Sequence, residues 1–347
     1  MLILAGLFDP LAIRGLTLKN RIVVSPMCQY QAEETGYIND WHTVHYGSLA
    51  LAGASLMFVE ATSVEARGRI SNRDVGLYED GQMEGLRRIV DFAHGQDVKV
   101  GIQLNHAGRK ADLDSEPIAP SAIAFSDRYK LPQAMTEDDM AQVVRAFEES
   151  AKRAVEAGFD VIEVHAAHGY LLHQFLSPLS NQREDGYGGS REGRLRFPLA
   201  VVCAVRAVIP EEMPLFVRVS ASEYHPAGLT MDDMRFYAQA FKDAGVSLID
   251  VSSGGNVPTP PDKVYAGYQI PLAEAIRRDI DILVGGVGML DDPILADSIV
   301  QSNRADLIFI ARGFLRNKNW GHDAALALSH PVEPPVPYVR AYKIPNA

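Results

Sequence analysis

Two histidines and a tyrosine follow one candidate strand at a spacing that suits chemistry on a carbonyl group or an anion. His165, His168 and Tyr170 come directly after the apolar run that begins at Val161. At a strand-to-loop corner, this spacing predicts that the three side chains converge on one pocket. Imidazoles can donate hydrogen bonds to a substrate oxygen, and a phenol can give up a proton. Two other interpretations stay open: a metal site that includes Glu163, or structural histidines.

Arg218 lies between Val217 and Val219 in an otherwise apolar candidate strand. A guanidinium in a protein interior is costly unless something anionic meets it. One interpretation is a buried ion pair with Glu163 or Glu60. The other is a fixed cation that faces a ligand which becomes negative during turnover.

Cys28 stands in the loop after the first candidate strand. A lone cysteine is often just a small buried apolar side chain. Its position also allows a thiol that touches a cofactor. The only other cysteine is Cys203, and two thiols are too few for an iron–sulfur cluster or an all-cysteine zinc site.

The elements that must position these residues alternate along almost the whole chain. The candidate strands are Arg21–Val24, Leu56–Glu60, Lys99–Leu104, Val161–His165, Leu215–Val219, Leu248–Ser252, Ile282–Gly285 and Leu307–Ala311. The candidate helices lie near His42–Ala52, Gln82–Gly95, Thr136–Ala157, Gly193–Val208, Thr230–Ala244, Ile270–Asp279 and Pro293–Gln301, and a weaker one follows Trp320. Eight β-then-α units predict the α/β class: a single-domain (β/α)8 TIM barrel with elaborated loops on its C-terminal face.

Local signals support the helix boundaries. Thr136 and Thr230 are each followed three residues later by aspartate, which predicts capping boxes. Ser190 is expected to be the N-cap of the next helix. Gly158 and Gly245 are expected to end their helices just before the following strands.

Glycines follow the last two candidate strands. Gly285-Gly286-Val287-Gly288 precedes a helix that begins near Asp292, and Arg312-Gly313 follows the final strand. Such glycines expose backbone N–H groups to a phosphate, and the loops after strands seven and eight are the recurrent phosphate site of this barrel. The Walker and dinucleotide fingerprints are absent. A phosphate site, a buried cation and no nucleophile motif together indicate a bound phosphorylated cofactor that performs redox chemistry.

Composition excludes several classes of protein. The 347 residues are 47% hydrophobic and 22% charged, which excludes a disordered scaffold. The net charge of -11 argues against a general nucleic-acid binder. No apolar run reaches the ~20 residues of a membrane helix. Because Met1–Gly6 also lacks a basic region and a long apolar stretch, we expect a cytoplasmic location.

With these motifs in view, the sequence resembles the Old Yellow Enzyme family of flavin-dependent ene-reductases along nearly its whole length. Four segments carry the resemblance: Ser25–Tyr30, Gln103–Lys110, His165–Leu171 and Asp185–Ser190. Cys28, where the founding branch carries threonine, is similar to the thermophilic-like branch that contains the xenobiotic reductases.

The resemblance implies non-covalently bound FMN, with NADPH or NADH as the reductant. It places Gln103 at the pyrimidine edge of the flavin and Arg218 at N1 and O2. The remaining residues that it assigns to the flavin or its phosphate are Ser25, Pro26, Met27, Cys28, Ala61, Gly286, Val287, Gly288, Ala311 and Arg312.

The resemblance also implies ping-pong reduction of an alkene conjugated to a carbonyl or nitro group. His165 and His168 would hold the substrate oxygen, and Tyr170 would protonate the substrate carbon. Tyr30 would shape the pocket. Cys28 would tune the flavin potential by contact, without a covalent role. Lys110 matches a basic residue at the rim of the flavin.

Residues 1–330 are expected to form the FMN-binding barrel and residues 331–347 a C-terminal tail. Tyr338–Tyr342 resembles a tail segment whose arginine reaches the neighbouring subunit's site, which makes Arg340 the candidate substrate-binding residue. The resemblance implies a homodimer or a tetramer of dimers, with no nucleic-acid or membrane partner and no metal. The alternatives are a non-catalytic flavin-binding sensor and a metal-dependent barrel lyase using His165 and His168.

Overall fold

A closed barrel of eight parallel strands forms the centre of the molecule, as the sequence predicts. The computed structural model describes residues 5–261 and 263–342. The barrel strands are β3 (Ile22–Val24), β4 (Leu56–Ser63), β5 (Lys99–Asn105), β8 (Val161–Ala166), β9 (Leu215–Ser220), β10 (Leu248–Ser252), β11 (Leu283–Gly286) and β12 (Leu307–Ile310). Each pairs in parallel with the next in this order, and β12 closes the barrel against β3. The predicted (β/α)8 fold is therefore confirmed.

Four short strands lie outside the barrel. They are β1 (Leu11–Ile13) and β2 (Leu16–Leu18), which pair antiparallel, and β6 (Ile118–Ala119) and β7 (Gln133–Ala134), which pair in parallel. The second pair belongs to the long insertion after β5. This insertion lies on the C-terminal face, as expected for an elaborated barrel loop.

Helices form the outer layer. They are α1 (Asp40–Ala50), α2 (Met83–His94), α3 (Glu137–Glu156), α4 (Leu171–Leu176), α5 (Arg191–Val208), α6 (Met231–Asp243), α7 (Ile270–Ile280), α8 (Pro293–Gln301), α9 (Arg312–Arg316), α10 (Trp320–Ala327) and α11 (Val339–Tyr342). The short helices α4 and α9 were not predicted, because neither is long enough to show a helical period. Both begin at the C-terminal end of a barrel strand, so they border the candidate site.

The predicted caps are present. Thr136 and Thr230 form capping boxes at the starts of α3 and α6, and the Ser190 hydroxyl accepts a hydrogen bond from Gly193 N in α5. Gly158 and Gly245 both have a φ of +91° just past α3 and α6. Glycine tolerates this left-handed conformation, so each chain can turn directly into the next strand.

An aromatic floor fills the lower barrel interior. The ring of Phe58 lies 6.0 Å from that of Phe216 and 5.9 Å from that of Phe309, measured between centroids. A Cβ at Gly101 would overlap the Phe58 ring, and a Cβ at Gly285 would overlap the Phe309 ring. Glycine in these strands therefore makes room for the rings. The floor excludes water from below the polar residues at the barrel mouth.

The C-terminal segment leaves the barrel after α10. It contains a short 3-10 turn at Val336–Tyr338 and then α11. The ring of Tyr342 lies 5.5 Å from that of His322 in α10. Residues 1–4 and 343–347, which include parts of the expected N-terminal segment and tail, lie outside the described residues. Within the described residues, no helix has the length and apolarity that a membrane crossing requires.

Replacing Gly101 with alanine tests the aromatic floor. We expect Gly101→Ala to lower the free energy of unfolding by about 1–3 kcal/mol, because the added methyl group overpacks the Phe58 ring. Urea denaturation of the purified protein measures the change. Gly47→Ala is the matched control, because a Cβ there would be 3.7 Å from its nearest neighbour, a carbon of Phe92. An equal loss in both variants would show that the ring and Gly101 are not closely packed.

Candidate active site

The corner after β8 brings the two histidines and the tyrosine together. The ring of His165 lies 5.2 Å from that of His168 and 5.0 Å from that of Tyr170, and both pairs meet edge to face. His168 has a φ of +58° and Gly169 a φ of +73°. These left-handed residues turn the chain sharply, so three side chains from one short segment face one pocket.

The two imidazoles are neutral. Burial lowers the pKa of His165 and of His168 well below the usual value, and the nearby positive charge of Arg218 lowers both further. His165 Nδ1 accepts a hydrogen bond from Ala167 N at 3.2 Å. The proton of this neutral ring is therefore on Nε2, which remains able to donate.

His168 has a different environment. Its Nε2 lies 2.8 Å from the Ser252 hydroxyl, which itself donates to Gln269 Oε1 at 3.1 Å. Because the hydroxyl has a single proton, His168 Nε2 donates to Ser252. His168 must give up this bond before it can donate to a substrate.

Buried side chains hold the backbone of this corner. His168 N donates to the Ser220 hydroxyl at 2.9 Å, and Lys110 Nζ donates to His168 O at 3.0 Å. Gly169 N donates to His173 Nδ1 at 2.9 Å. These bonds offset the cost of a non-glycine residue at positive φ.

Glu223 supports the corner through His173. Both side chains are buried, and His173 Nε2 lies 3.3 Å from Glu223 Oε1. Burial raises the pKa of Glu223. A hydrogen bond and a favourable charge interaction with His173 act in the opposite direction, as do hydrogen bonds from Leu229 N and the Ser177 hydroxyl. Together these interactions lower the pKa to about 2. Glu223 is therefore an ionised buried carboxylate that orients the His173 ring.

Tyr170 is the N-cap residue of α4, and its ring lies beside a partly buried lysine. Lys110 Nζ is 5.1 Å from the centroid of the Tyr170 ring and 4.5 Å from that of Phe125. Burial raises the pKa of Tyr170 well above its usual value. The phenol is therefore protonated at neutral pH. Burial, together with the Arg109 charge, lowers the pKa of Lys110 to about 8.

Arg218 is 6% exposed and lies on β9 level with His165. Its Nε lies 3.0 Å from Asp250 Oδ2 on the adjacent strand. The interpretation that paired Arg218 directly with Glu163 or Glu60 is wrong, because the strand register places Asp250 opposite Arg218. Glu163, which was considered as a metal ligand, instead accepts a hydrogen bond from Gln103 Nε2 at 2.7 Å.

Cys28 and Tyr30 lie together at another side of the barrel mouth. Burial raises the pKa of the Cys28 thiol well above its usual value, and the Glu60 and Asp74 charges raise it further. The thiol is therefore protonated rather than an activated thiolate. Tyr30 has a φ of +53°, is 45% exposed and interacts with Cys28.

The loop that carries Cys28 is fastened to β4. Gln29 N donates to Glu60 Oε2 at 2.8 Å, and the Tyr46 hydroxyl donates to Glu60 Oε1 at 3.1 Å. A β-bulge between Val59 and Ala61 lets Glu60 leave the regular register with β5. Ala61 is then brought to Cys28, with which its backbone interacts.

A cleft opens at the ends of β11 and β12, where the sequence predicts a phosphate site. Its lining includes Val287, Gly288, Ala311 and Arg312. Gly288 has a φ of +121°, and a Cβ there would stand 3.0 Å from Gln269 Nε2. The cleft thus combines the glycine-containing segment after β11 with an exposed arginine at its edge, which suits an anion.

Arg340 does not lie near the candidate active-site residues of its own chain. It lies exposed in α11, close to α10 rather than beside His165 and Tyr170.

Comparison with known proteins identifies the family. Residues 6–329 match the profile of the NADH:flavin oxidoreductase / NADH oxidase family. The chain belongs to this family.

Two kinds of relative support that assignment. An NADPH dehydrogenase of Geobacillus sp. (strain WCH70) is 50% identical over 97% of this chain and 98% of its own. The structure of morphinone reductase is 27% identical, with a TM-score of 0.78 over 96% of this chain and 92% of that chain. Morphinone reductase in complex with tetrahydroNAD is also similar, with 26% identity and a TM-score of 0.79 over 96% and 93% of the two chains. The protein is therefore an oxidoreductase that uses FMN and NAD(P)H.

The described residues fit FMN. Ser25 Oγ is buried without a hydrogen-bond partner within the described part of the chain, as expected for a group that serves a ligand. Arg218 and Gln103 lie at the barrel mouth, and the cleft at Gly288 and Arg312 is at its edge. A flat polar ring and a phosphate would therefore meet suitable partners.

Several residues in this site were missed in the sequence. Gln269 accepts hydrogen bonds from the Ser252 and Ser253 hydroxyls at 3.1 and 2.6 Å and also lines the cleft. Asp250 and Glu223 contact the site residues Arg218 and His173. The strand-end rule could have indicated Ser252, which closes β10, but Gln269 and Glu223 have no local signal.

Glu223→Gln tests the buried carboxylate. A folded-state pKa below the unfolded value means that the stabilisation is present at neutral pH and is lost as the pH falls from about 4.5 toward 2. We expect the variant to lose about 3 kcal/mol of unfolding free energy at pH 7, and to differ far less from the parent at about pH 3. Denaturant unfolding at both pH values measures this, with the exposed Glu34→Gln as the control. An equal difference at both pH values would mean that Glu223 is not ionised in the folded protein.

Proposed function

We propose that the protein is an FMN-dependent NAD(P)H ene-reductase for alkenes conjugated to a carbonyl or nitro group. Bound FMN would take hydride from NAD(P)H and pass it to the alkene, the two substrates using one pocket in turn. The observation that carries the proposal is the meeting of His165, His168 and Tyr170 beside Arg218, which is level with His165 in the strand register. Two neutral imidazoles that can donate hydrogen bonds and a phenol that can donate a proton thus share one pocket.

The imidazoles would bind the substrate's oxygen. His165 Nε2 carries a proton with no competing acceptor within the described residues, so it is ready to donate. His168 would exchange its bond with Ser252 for the same oxygen. Neutral hydrogen-bond donors in a dry pocket stabilise the negative charge that develops on the substrate oxygen during the reaction. Because the donors carry no charge, they do not hold an unrelated anion tightly beforehand.

Tyr170 would supply the proton. Its raised pKa keeps it protonated until a strongly basic carbon develops beside it. The partly buried Lys110 cation at its ring would limit the cost of the phenolate left behind. A flavin sensor without turnover would have no use for this acid beside two neutral imidazoles. The metal-lyase alternative is disfavoured by the family assignment.

The remaining site residues have roles that we propose from their positions. Gln103 and Arg218 would hold the pyrimidine side of the flavin, and Tyr30 would line the substrate pocket. Cys28 would touch the flavin as a neutral thiol and tune its potential. The other proposed flavin and phosphate contacts are Ser25, Pro26, Met27, Ala61, Gly286, Val287, Gly288, Ala311 and Arg312.

We further propose a homodimer, or a tetramer of dimers, in which Arg340 enters the partner's site. Arg340 is exposed and distant from its own pocket. Exposed Trp41, Val44 and Phe92 form an apolar surface on α1 and α2, as expected for an interface. Trp41 Nε1 donates to Gln29 Oε1 at 3.3 Å, so this surface borders the loop of Cys28 and Tyr30.

The use of NAD(P)H and the two free thiols favour a cytoplasmic location.

Tyr170→Phe separates the two half-reactions. We expect anaerobic flavin reduction by NADPH to keep its rate within a few-fold, because it requires no proton from Tyr170. Reoxidation by a conjugated enone should slow by about 10²–10⁴-fold. Stopped-flow absorbance of the flavin measures both steps, and Tyr338→Phe in the tail is the control. Equal slowing of both half-reactions would remove Tyr170 as the proton donor, and no reoxidation by any enone or nitroalkene in the parent would refute the ene-reductase.

Arg340→Ala tests the contribution from a neighbouring subunit. We expect the KM for the alkene to rise while the unfolding midpoint stays constant, because the side chain is exposed in its own chain. Steady-state kinetics and sedimentation measure substrate binding and assembly, with the exposed Arg145→Ala as the control. Unchanged kinetics in an oligomeric Arg340 variant would contradict the role.

A further inference from the structure

Three ionisable side chains lie on adjacent strands inside the barrel, directly below the candidate active site. Glu163 on β8 and Asp250 on β10 are 0% exposed, and Arg218 on β9, between them, is 6% exposed. The register places Arg218 level with both His165 and Asp250, whereas Glu163 is level with Phe216 of the aromatic floor. The group is therefore closed below by aromatic rings and above by the flavin site.

The formal charges of this group do not balance. One guanidinium faces two carboxyl groups, and only Asp250 makes a close contact with it, at 3.0 Å. Glu163 Oε1 accepts a hydrogen bond from the neutral amide of Gln103. Glu163 Oε2 and both carboxyl oxygens of Asp250 have no hydrogen-bond partner among the described residues, so the 3.0 Å contact with Arg218 is what distinguishes Asp250 from Glu163. If both carboxyls were ionised, one negative charge would remain uncompensated in a dry interior, which costs several kcal/mol.

We propose that Glu163 and Asp250 share a single proton at neutral pH, carried on Glu163. Asp250 is then the anionic partner of Arg218, and the three groups together are neutral. In this state Asp250 contacts the Nε of Arg218, so the terminal guanidinium nitrogens remain able to bind the flavin. Because the three groups are neutral together, no second buried cation is needed to balance their charge.

The surroundings of Glu163 support this distribution. Arg218 and Asp250 face it from β9 and β10, Gln103 faces it from β5, and the neutral His165 lies above it on its own strand. Burial raises the pKa of Glu163, and the Asp250 carboxylate raises it further. Burial also raises the pKa of Asp250, against the attraction of Arg218. Because the two carboxyls interact, they titrate as a pair, and the contact of Asp250 with Arg218 leaves the proton on Glu163.

The shared proton has a consequence for the cofactor. Reduction of bound FMN would add negative charge near Arg218, and an ionised Glu163 would add a second negative charge nearby. Loss of the proton at high pH should therefore disfavour the reduced flavin. Because like charges repel more strongly in a buried site than in water, ionisation of Glu163 should shift the reduction equilibrium away from the reduced flavin. Glu163 is thus a positioning residue that acts through Arg218 and the field at the flavin.

Infrared spectroscopy of the holoprotein detects the proton directly. A protonated carboxyl has a carbonyl band that an ionised one lacks, and ¹³C-labelled protein with unlabelled FMN separates this band from those of the flavin. We expect Glu163→Gln to lose one acid band at neutral pH. Asp250→Asn should lose the same band, because Glu163 then becomes the sole counter-ion of Arg218 and ionises.

The control variants distinguish this proton from others. Glu223→Gln should keep the band, since the pKa of Glu223 is lowered to about 2. Burial raises the pKa of Glu60 to about 8, so Glu60→Gln should remove a separate acid band. Asp250→Asn also provides the test if Glu163→Gln fails to fold. Persistence of the band in either folded variant would overturn the proposal.

The midpoint potential of bound FMN provides a second readout. The parent and Glu163→Gln should have matching potentials at about pH 6, and the parent should become the poorer oxidant of the two by about pH 9. Parallel pH profiles would show that no proton leaves the pair in this range, and would contradict the proposed link to the flavin. These measurements depend on FMN binding and not on the alkene, so they remain decisive if the proposed ene-reductase activity is wrong.

Discussion

The placement of one guanidinium inside the barrel constrains everything else at its mouth. Arg218 lies on a strand whose other inward residue, Phe216, belongs to an aromatic floor, so the cation has no access to water from below. Asp250 compensates its charge from the next strand at 3.0 Å. The same charge helps to keep His165 and His168 neutral, because a protonated imidazole near it would be repelled. The donor character of the pocket therefore follows in part from a neighbouring buried cation.

The second constraint is the sharp corner at His168 and Gly169. Three nearby side chains can share one pocket only because both residues adopt positive φ angles. A Cβ on Gly169 would overlap the backbone oxygen of Gly255, so glycine is required there. Hydrogen bonds from the His168 backbone to Ser220 and from Lys110 to the His168 backbone offset the cost of this strained conformation. Local geometry and the buried polar network are thus parts of one arrangement.

The sequence predicted the barrel well because its strands have apolar runs and its helices have a clear period and caps. It also indicated the cleft at the ends of β11 and β12 and the His165, His168 and Tyr170 cluster, since these follow strand ends. It missed the direct partner of Arg218, because Asp250 becomes its neighbour only through strand register. Glu223 was missed for a similar reason: its importance arises from contact with His173, fifty residues earlier in the chain. Tertiary contacts of this kind leave no local pattern.

The distribution of positive groups reconciles an acidic protein with anionic ligands. The chain has a net charge of -11, yet both FMN and NAD(P)H carry phosphate. Long-range attraction cannot explain their binding, because surface fields are screened over about 8–10 Å. Arg312 instead places a positive charge at the edge of the cleft formed by the ends of β11 and β12, whereas Arg218 is buried, where screening is weak. Attraction of an anion by these groups would therefore act at short range, and the acidic outer surface would have little influence on it.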